Sequence, residues 1–257
     1  MKNIYFLSLL VFSLSTIFPI SGQNYVTVKK TDGSSDTYLA NDVKRIYFKD
    51  YSFSSGFKGD YSYVDMGVSV LWATCNVGAT KPEEPGYLIA WAETSPKESY
   101  TWDNLKYCRD DGTRKYWYDA DGNGGDGLEV LLPEDDAATV NWGSEWRMPT
   151  IEELRELIEA CEWKRTNDFR GSGVSGVVAT SKENGNVLFF PFTCYQDGEY
   201  TLCGEIWIWS ASLFDASIDM RSPFTSAPYM RWIDERMSVA DETQRRCGLN
   251  IRAVSAK

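Results

Sequence analysis

The sharpest chemical pattern in this sequence is an acidic, glycine-rich stretch near its middle. Asp119, Asp121 and Asn123 place side-chain oxygens at alternate positions and Gly124 follows them, which is the spacing of the first half of an EF-hand calcium loop. The second half departs from that loop, because Val130 stands at the twelfth position, where a bidentate Glu is needed. The stretch is therefore compatible with a weak calcium site or with a solvated turn. The turn is the simpler interpretation, since Asp, Asn and Gly are common turn residues.

A second acidic cluster, Glu134, Asp135 and Asp136, follows soon after. Adjacent carboxylates can hold a cation or carry out general acid–base catalysis. They also stand where a helix begins, and carboxylates at that position cap the helix and interact favourably with its dipole. Capping is the simpler interpretation of this cluster.

The chain contains no histidine. This excludes Ser-His-Asp catalysis, Cys-His catalysis and imidazole-ligated zinc. The formal net charge of −11 argues against nucleic acids and anionic membranes as partners. The charge is compatible with cation binding or with solubility alone.

Aromatic side chains are abundant, with ten Trp and fifteen Tyr. Most tryptophans fall in periodic elements and are expected in the core; these include Trp72, Trp142, Trp146, Trp207 and Trp209. Trp102, Trp117 and Tyr118 lie instead in a long irregular segment, and long ordered loops often carry binding sites. These three residues are the candidate ligand-binding side chains, for a glycan or a protein surface.

Two helices are predicted around the second acidic cluster. Asp135 or Asp136 can begin a short helix that Gly143 closes. Thr150 and Glu153 form a capping box at the start of a second, amphipathic helix. The apolar stripe of that helix consists of Leu154, Leu157, Ile158 and Cys161.

Strands dominate the rest of the chain. Alternating apolar residues predict a strand between residues 63 and 77, and Asn184-Gly185 is a hairpin turn between strands at 173–180 and 187–192. Further strands are predicted at 206–209, 229–233 and 248–254. Two short helices with antiparallel strands predict an α+β fold.

The amino-terminal residues are typical of a secretory signal peptide. Lys2 precedes an apolar run from Ile4 to Ile20, and small residues follow, which indicates cleavage near Gly22. A membrane anchor is the alternative, but polar residues interrupt a run already short for a bilayer. No later segment is apolar enough to span a membrane. We therefore expect an exported protein: periplasmic, at the cell surface or secreted.

The expected organisation has four parts: a signal peptide (1–22), a small amino-terminal β unit (23–50), a linker (51–60) and a main domain (61–257). The β unit is predicted as a hairpin, because strands at 25–30 and 35–39 flank a Thr-Asp-Gly-Ser turn. The Ser and Gly content of the next ten residues is typical of a linker.

Three separated blocks of the sequence resemble one known family. They are YVDMGVSVLWATCNVGATKPEE, EDDAATVNWGSEWRMPTIEELRELI and GLNIRAV, in that order between Tyr63 and Val254. The family is the Fibrobacter succinogenes major paralogous domain, which is common in secreted bacterial proteins. The resemblance implies a C-type-lectin-like domain, distantly similar to the formylglycine-generating-enzyme group. It implies no activity, because the family has no general biochemical role to carry over.

Two sets of functional motifs are missing from these blocks. The Arg-Gly-Gly-Ser-Trp stretch typical of the catalytic half of the formylglycine-generating group is absent, and no reactive cysteine pair can be matched. The Gln-Pro-Asp, Glu-Pro-Asn and Trp-Asn-Asp signatures of calcium-dependent sugar binding are absent too. The resemblance therefore indicates a shared scaffold.

Six cysteines in an exported chain are expected in disulfides rather than in metal sites. Cys194 and Cys203 bracket a polar turn between two predicted strands, so a local bridge is geometrically easy. The resemblance implies two further pairs, Cys161–Cys247 and Cys75–Cys108. The alternative is that some of the six are free and buried.

These observations predict an exported, non-catalytic binding or adhesion module whose ligand is a glycan or a surface protein. Calcium is the one cofactor that the sequence suggests. One alternative is a carboxylate- or metal-dependent enzyme on the same scaffold. Another is a structural subunit of a surface assembly, with the amino-terminal strands as its joint.

Overall fold

The computed structural model describes residues 25–29, 35–40, 55–107, 114–117, 125–213 and 225–257. The chain forms two units, Met1–Lys49 and Asp50–Lys257. The expected signal peptide, residues 1–22, lies outside the described residues.

A β-hairpin is the described part of the first unit. β1 (Tyr25–Lys29) pairs antiparallel with β2 (Ser35–Leu39) in register. Thr27 and Thr37 lie opposite each other, with their hydroxyl oxygens 3.2 Å apart. The hairpin predicted from the alternating sequence is confirmed.

The described part of the second unit contains eleven strands and two α-helices. In chain order they are β3 (Gly56–Lys58), β4 (Tyr61–Asp65), β5 (Val70–Ala73), α1 (Ala137–Trp142), α2 (Ile151–Ala160), β6 (Cys161–Thr166), β7 (Gly176–Ser181), β8 (Val187–Pro191), β9 (Thr193–Asp197), β10 (Tyr200–Trp209), β11 (Ser226–Ile233), β12 (Arg236–Gln244) and β13 (Val254–Ala256).

These strands form three antiparallel sheets. The first has the order β13-β5-β4-β3, the second β6-β7-β8 and the third β12-β11-β10-β9. Mostly antiparallel sheets with two short helices are compatible with the predicted α+β class.

The first sheet begins inside the stretch whose Ser and Gly content is typical of a linker. Gly56–Lys58 pairs with β4, and Lys58 lies opposite Tyr61. Gly59 makes this tight turn with a φ of 56°, in the left-handed region that favours glycine. Gly59, whose residue type suggests a flexible linker, therefore forms the turn of a hairpin. The first sheet starts at Gly56, before residue 61.

The alternating stretch from residue 63 to 77 forms two strands rather than one. The backbone N–H of Gly67 donates to the Asp65 carboxylate at 3.0 Å, and Gly67 has a φ of 77°. This turn separates β4 from β5, which then pair with each other. The predicted strand at 248–254 also differs, because Gly248, Leu249 and Asn250 form single bridges before β13 begins.

Both predicted helices are present, with their predicted caps. Asp136 caps α1 by accepting from the N–H of Thr139 at 3.0 Å, and Gly143 closes the helix. Thr150 and Glu153 form the capping box of α2. Because its buried residues are Ile151, Leu154 and Leu157, α2 turns one face to the core.

The third sheet separates two hydrophobic cores. On β10, Trp207 and Trp209 face one core, and Ile206 and Ile208 face the other, because side chains alternate along a strand. The first core includes Trp91, Tyr116, Trp146 and Leu249. The second includes Leu154, Leu157, Phe190 and Met230.

A buried guanidinium joins the first and second sheets. Arg252 is fully buried and donates to the side-chain oxygen of Asn76 at 2.9 Å and to the carbonyl oxygen of Phe189, on β8, at 3.0 Å. It also donates at 3.3 Å to the carbonyl oxygens of Ala73 and Thr74. Burial lowers the pKa of Arg252 to about 10, which leaves it charged at neutral pH.

We expect Arg252→Ala to lower the free energy of unfolding by about 3–5 kcal/mol, because it leaves a cavity and several buried acceptors without donors. Urea denaturation at neutral pH measures this change. Arg155→Ala, on the exposed face of α2, is the control and should cost under about 0.5 kcal/mol. Equal effects of the two substitutions would contradict the proposed importance of Arg252.

Candidate functional site

The Asp135 carboxylate accepts hydrogen bonds from four side chains. One oxygen accepts from Lys106 Nζ at 2.7 Å and from the Tyr107 hydroxyl at 2.6 Å. The other accepts from Lys115 Nζ at 2.5 Å and from the Tyr116 hydroxyl at 2.7 Å. Asp135 itself is fully buried. We call these five residues the Asp135 cluster.

The four donors fix the charge state of this cluster. Burial alone would raise the pKa of Asp135, but hydrogen bonds from both lysines and both tyrosines outweigh burial and hold that pKa well below its usual range. Burial and the bond to Asp135 raise the pKa of Tyr116 well above its usual value. Burial opposes the charge on Lys115, but its bonds to Asp135 and Glu134 prevail and raise its pKa. At neutral pH the carboxylate is therefore an anion, and every donor keeps its proton.

The second acidic cluster divides into three roles. Asp136 caps α1 as predicted and also accepts from the N–H of Met148 at 2.8 Å. Asp135 does not cap the helix by its side chain but binds the four donors. Glu134 is exposed and pairs with Lys115 at 3.2 Å. Capping thus explains one carboxylate of the three.

Sequence reasoning missed the four donors of the Asp135 cluster, which lie 19 to 29 residues before the aspartate. The dipeptide Lys-Tyr occurs at 106–107 and again at 115–116, and each copy supplies one ammonium and one phenol. This repeat, in an otherwise irregular segment, is the signal that could have identified them.

Trp117, a candidate ligand-binding residue, lies next to this cluster on a short described segment. Its ring is half-buried, with the Arg114 guanidinium 5.4 Å from the ring centre. The carboxylate of Asp126 accepts from the N–H groups of Trp117 and Leu128 at 3.3 and 3.1 Å. Asp126 is therefore engaged in holding a turn.

The other candidates in this segment, Tyr118, Asp119, Asp121 and Asn123, lie outside the described residues. The calcium site therefore stays a prediction. Among the residues that the structure does describe, no group of three or more carboxylates and thiols is arranged to hold a metal ion.

Trp102, the remaining candidate, lies beside the β9–β10 hairpin. The Arg246 guanidinium is 5.3 Å from the centre of its half-buried ring and also forms an ion pair with Asp197, at the end of β9. The N–H of Gly198 donates to the carbonyl oxygen of Tyr100 at 2.9 Å, which ties the hairpin turn to the Trp102 loop. Tyr200 is 60 % exposed on the same hairpin. We call Trp102, Asp197, Tyr200 and Arg246 the Trp102 surface.

The disulfide predicted in this hairpin is confirmed. Cys194 and Cys203 are bonded, lie directly opposite each other on β9 and β10, and have Cα atoms 4.0 Å apart. The bridge therefore fixes the hairpin that carries Asp197 and Tyr200.

The other predicted cysteine pairs are not formed. Cys161 and Cys247 are free, buried thiols, so the Cys161–Cys247 prediction is wrong. They belong to the two different hydrophobic cores, and the Cys247 sulfur lies 3.0 Å from the hydroxyl of Tyr195. Cys75 is free as well, and its suggested partner Cys108 lies outside the described residues. Burial raises the pKa of both Cys161 and Cys247 to about 11.

Comparison with known proteins does not assign the chain to a family: no family model, no curated protein and no solved structure matches it. The resemblance to the Fibrobacter succinogenes major paralogous domain stays a prediction. Within the described part of the chain, no helix is long and apolar enough to cross a membrane.

We expect Asp135→Asn to lower the free energy of unfolding by about 3 kcal/mol at neutral pH, because one oxygen of the buried carboxylate becomes an NH2 group that faces two donors, and Lys106 and Lys115 lose their counterion. The control Glu134→Gln removes an exposed partner of Lys115 and should cost under about 1 kcal/mol. Urea denaturation measures both changes.

The same pair of proteins also tests the charge state of Asp135. A carboxyl group whose pKa is lowered on folding stabilises the protein fully above its unfolded pKa, about 3.9 for Asp, and progressively less below it. The difference in free energy of unfolding between wild type and Asp135→Asn should therefore be constant from pH 7 to about pH 5 and shrink as the pH falls below about 4. If this difference grew as the pH fell, the lowered pKa of Asp135 would be contradicted.

For the disulfide, we expect the double substitution of Cys194 and Cys203 by Ser to lower the free energy of unfolding by about 2–3 kcal/mol on the loop-entropy model. Reduction with dithiothreitol should have the same effect on wild type and none on the variant. If dithiothreitol left the free energy of unfolding of wild type unchanged, the bridge would not be stabilising.

Proposed function

We propose that the protein is an exported, non-catalytic binding or adhesion module whose glycan or protein ligand contacts the Trp102 surface. The observation that carries this proposal is the position of Trp102. Its half-buried ring and the Arg246 guanidinium are held against a hairpin that a disulfide closes. A surface fixed in this way loses little conformational entropy when it binds, which favours recognition.

The composition of the Trp102 surface suits a polar ligand with apolar faces. Tyr200 and Trp102 offer aromatic area, and Arg246 and Asp197 offer charge and hydrogen-bonding capacity beside it. Aromatic and Arg side chains are the residue types most often responsible for binding energy at interfaces. This supports either a glycan or a protein surface as the ligand.

The state of the acidic side chains favours binding over catalysis. The Asp135 carboxylate binds four donors, and its pKa lies too low for a general base or acid at neutral pH. Asp136 and Glu153 cap helices, and Glu153 also pairs with Arg147. Each of these three carboxylates therefore has a structural role.

The finer fold and the compartment are parts of the same proposal. The two short helices and antiparallel sheets are compatible with the C-type-lectin-like domain that the sequence resemblance implies. The signal-peptide pattern and the Cys194–Cys203 bridge support export, since disulfides persist in oxidising compartments.

The purified protein, applied to arrays of glycans and of cell-surface proteins, tests this function. We expect a ligand whose affinity falls roughly fivefold in Trp102→Ala, about 1 kcal/mol, because one aromatic contact is lost. The control is Phe57→Ala, which removes an exposed ring from the first sheet. It should leave the affinity unchanged.

Two results would contradict the proposal. One is a bound ligand that mass spectrometry shows to be chemically converted by the protein, which would favour an enzyme. The other is a ligand whose affinity responds to Phe57→Ala and not to Trp102→Ala, which would place the binding surface elsewhere.

A further inference from the structure

The two halves of β10 differ in their exposure. Residues 206–209 are all buried, whereas residues 200–203 are exposed or half-buried. Gly204 separates the two halves with a φ of 96°, and the pairing of β9 with β10 shifts its register at this residue. A bulge at a glycine is a place where a strand can bend. We call residues 194–203, which lie beyond this bend, the outer hairpin.

The disulfide lies on the solvent side of the outer hairpin. Tyr195 and Leu202 are paired across its two strands, and both pack against the first hydrophobic core. Cys194 and Cys203 are the next pair, and because side chains alternate along a strand they point away from that core. Cys203 is exposed and Cys194 is half-buried. The bridge is therefore open to solvent, on the face that does not pack against the first core.

Several contacts connect the outer hairpin to the Trp102 loop. The N–H of Gly198, in the hairpin turn, donates to the carbonyl oxygen of Tyr100 at 2.9 Å. The Arg246 guanidinium donates to the same oxygen at 3.3 Å and forms an ion pair with Asp197. It also lies over the ring of Trp102. The geometry of the Trp102 surface therefore depends on where the outer hairpin is held.

Access decides which thiols can open this bridge in the folded protein. Exchange begins when a thiolate attacks one sulfur of a disulfide, so an exposed disulfide is reduced more readily than a buried one. The free thiols that the structure describes, Cys75, Cys161 and Cys247, are all buried. They therefore do not compete with a thiol in solution for the exposed Cys203. The bridge is poised to respond to thiols outside the protein.

We propose that the Cys194–Cys203 bridge is a redox switch that controls the rigidity of the Trp102 surface. A small-molecule thiol opens the bridge in the folded protein, and the two strands of the outer hairpin then separate more often beyond Gly204. The Trp102 surface is rigid in the oxidised form and mobile in the reduced form. The effect on ligand binding rests on the proposed function, because a surface that must first be ordered binds its ligand more weakly.

The reaction is a thiol–disulfide exchange in two steps. The thiolate of a first small thiol attacks Cys203 Sγ, the bond between the two protein sulfurs breaks, and Cys194 leaves as a thiolate that takes up a proton. A second thiolate attacks the sulfur of the bound small thiol and releases Cys203, which is protonated in turn. Two small thiols are thus oxidised to one disulfide, and the protein disulfide takes up two electrons and two protons.

The rest of the second unit does not need the bridge to stay folded. Neither hydrophobic core, as the described residues define it, includes Cys194 or Cys203. The buried half of β10 remains paired with β11, from Ile206 opposite Trp232 to Trp209 opposite Tyr229. Reduction therefore loosens the outer hairpin locally, and this is what makes the bridge a switch within a folded protein.

Excess reduced glutathione at neutral pH is the probe, because the glutathione pool does not reduce ordinary structural disulfides. Alkylation followed by mass spectrometry measures the opening of the bridge, and NMR of the nitrogen-15-labelled protein measures its effect. We expect the bridge to open, the indole resonance of Trp102 to shift, and hydrogen exchange of the Gly198 amide to accelerate about tenfold. Exchange of the Ile208 amide, in the buried half of β10, should not change.

The control is the double variant Cys194→Ser, Cys203→Ser. It should show the fast exchange of the Gly198 amide both with and without glutathione, because its outer hairpin is always open. Since the variant keeps the other cysteines, it also reveals any effect of glutathione on them. A ligand that depends on Trp102 should bind the reduced wild type and the variant roughly fivefold more weakly than the oxidised wild type.

Three results would overturn the inference: the bridge stays closed in excess glutathione, it opens without changing the Gly198 exchange, or the Ile208 amide accelerates as much as that of Gly198. The last result would mean that reduction unfolds the whole unit. The proposed function fails separately. A ligand that depends on Trp102 but binds the oxidised and reduced forms equally would keep the binding module and remove the switch. An opening that frees Gly198 in a protein without any such ligand would do the reverse.

Discussion

The buried guanidinium of Arg252 is the interaction on which the assembly of the second unit depends. It donates to carbonyl oxygens at the end of β5 and on β8, and its charge lies 4.3 Å from the centre of the Phe190 ring. A buried charge is tolerated only where it is hydrogen-bonded, so these acceptors fix the place of the Arg252 guanidinium. β13 begins two residues later, and its pairing with β5 follows from that position.

Two buried charges of opposite sign stabilise different parts of the unit. Arg252 keeps its charge, is stabilised by hydrogen bonds to carbonyl oxygens and joins two sheets. Asp135 is paired with two ammonium groups and ties an irregular segment to the start of α1. Each is fully satisfied inside the protein. The third sheet differs, because its Glu205 and Arg231 atoms are buried without partners.

Local patterns in the sequence predicted local structure well. The capping box of Thr150 and Glu153, the Asn184-Gly185 hairpin and the Cys194–Cys203 bridge each depend on residues within about ten positions, and all three are present. Contacts between distant residues were not predictable in this way. Arg236–Gln244 is too polar to suggest a strand, yet it forms β12 because it pairs with β11. The tertiary fold alone brings the four donors to Asp135. It also places Cys161 and Cys247 in two different cores.

The burial of the free thiols of Cys161 and Cys247 has a consequence for disulfide exchange. Only thiolates attack disulfides, and a thiol with a pKa near 11, as for Cys161 and Cys247, is ionised in roughly one molecule in ten thousand at neutral pH. Once the two cores have closed, these thiols are too slow to exchange with the bridge between β9 and β10. Burial of Cys161 and Cys247 therefore protects the Cys194–Cys203 bridge from exchange with these two thiols, and the risk of that exchange is confined to the time before the cores form.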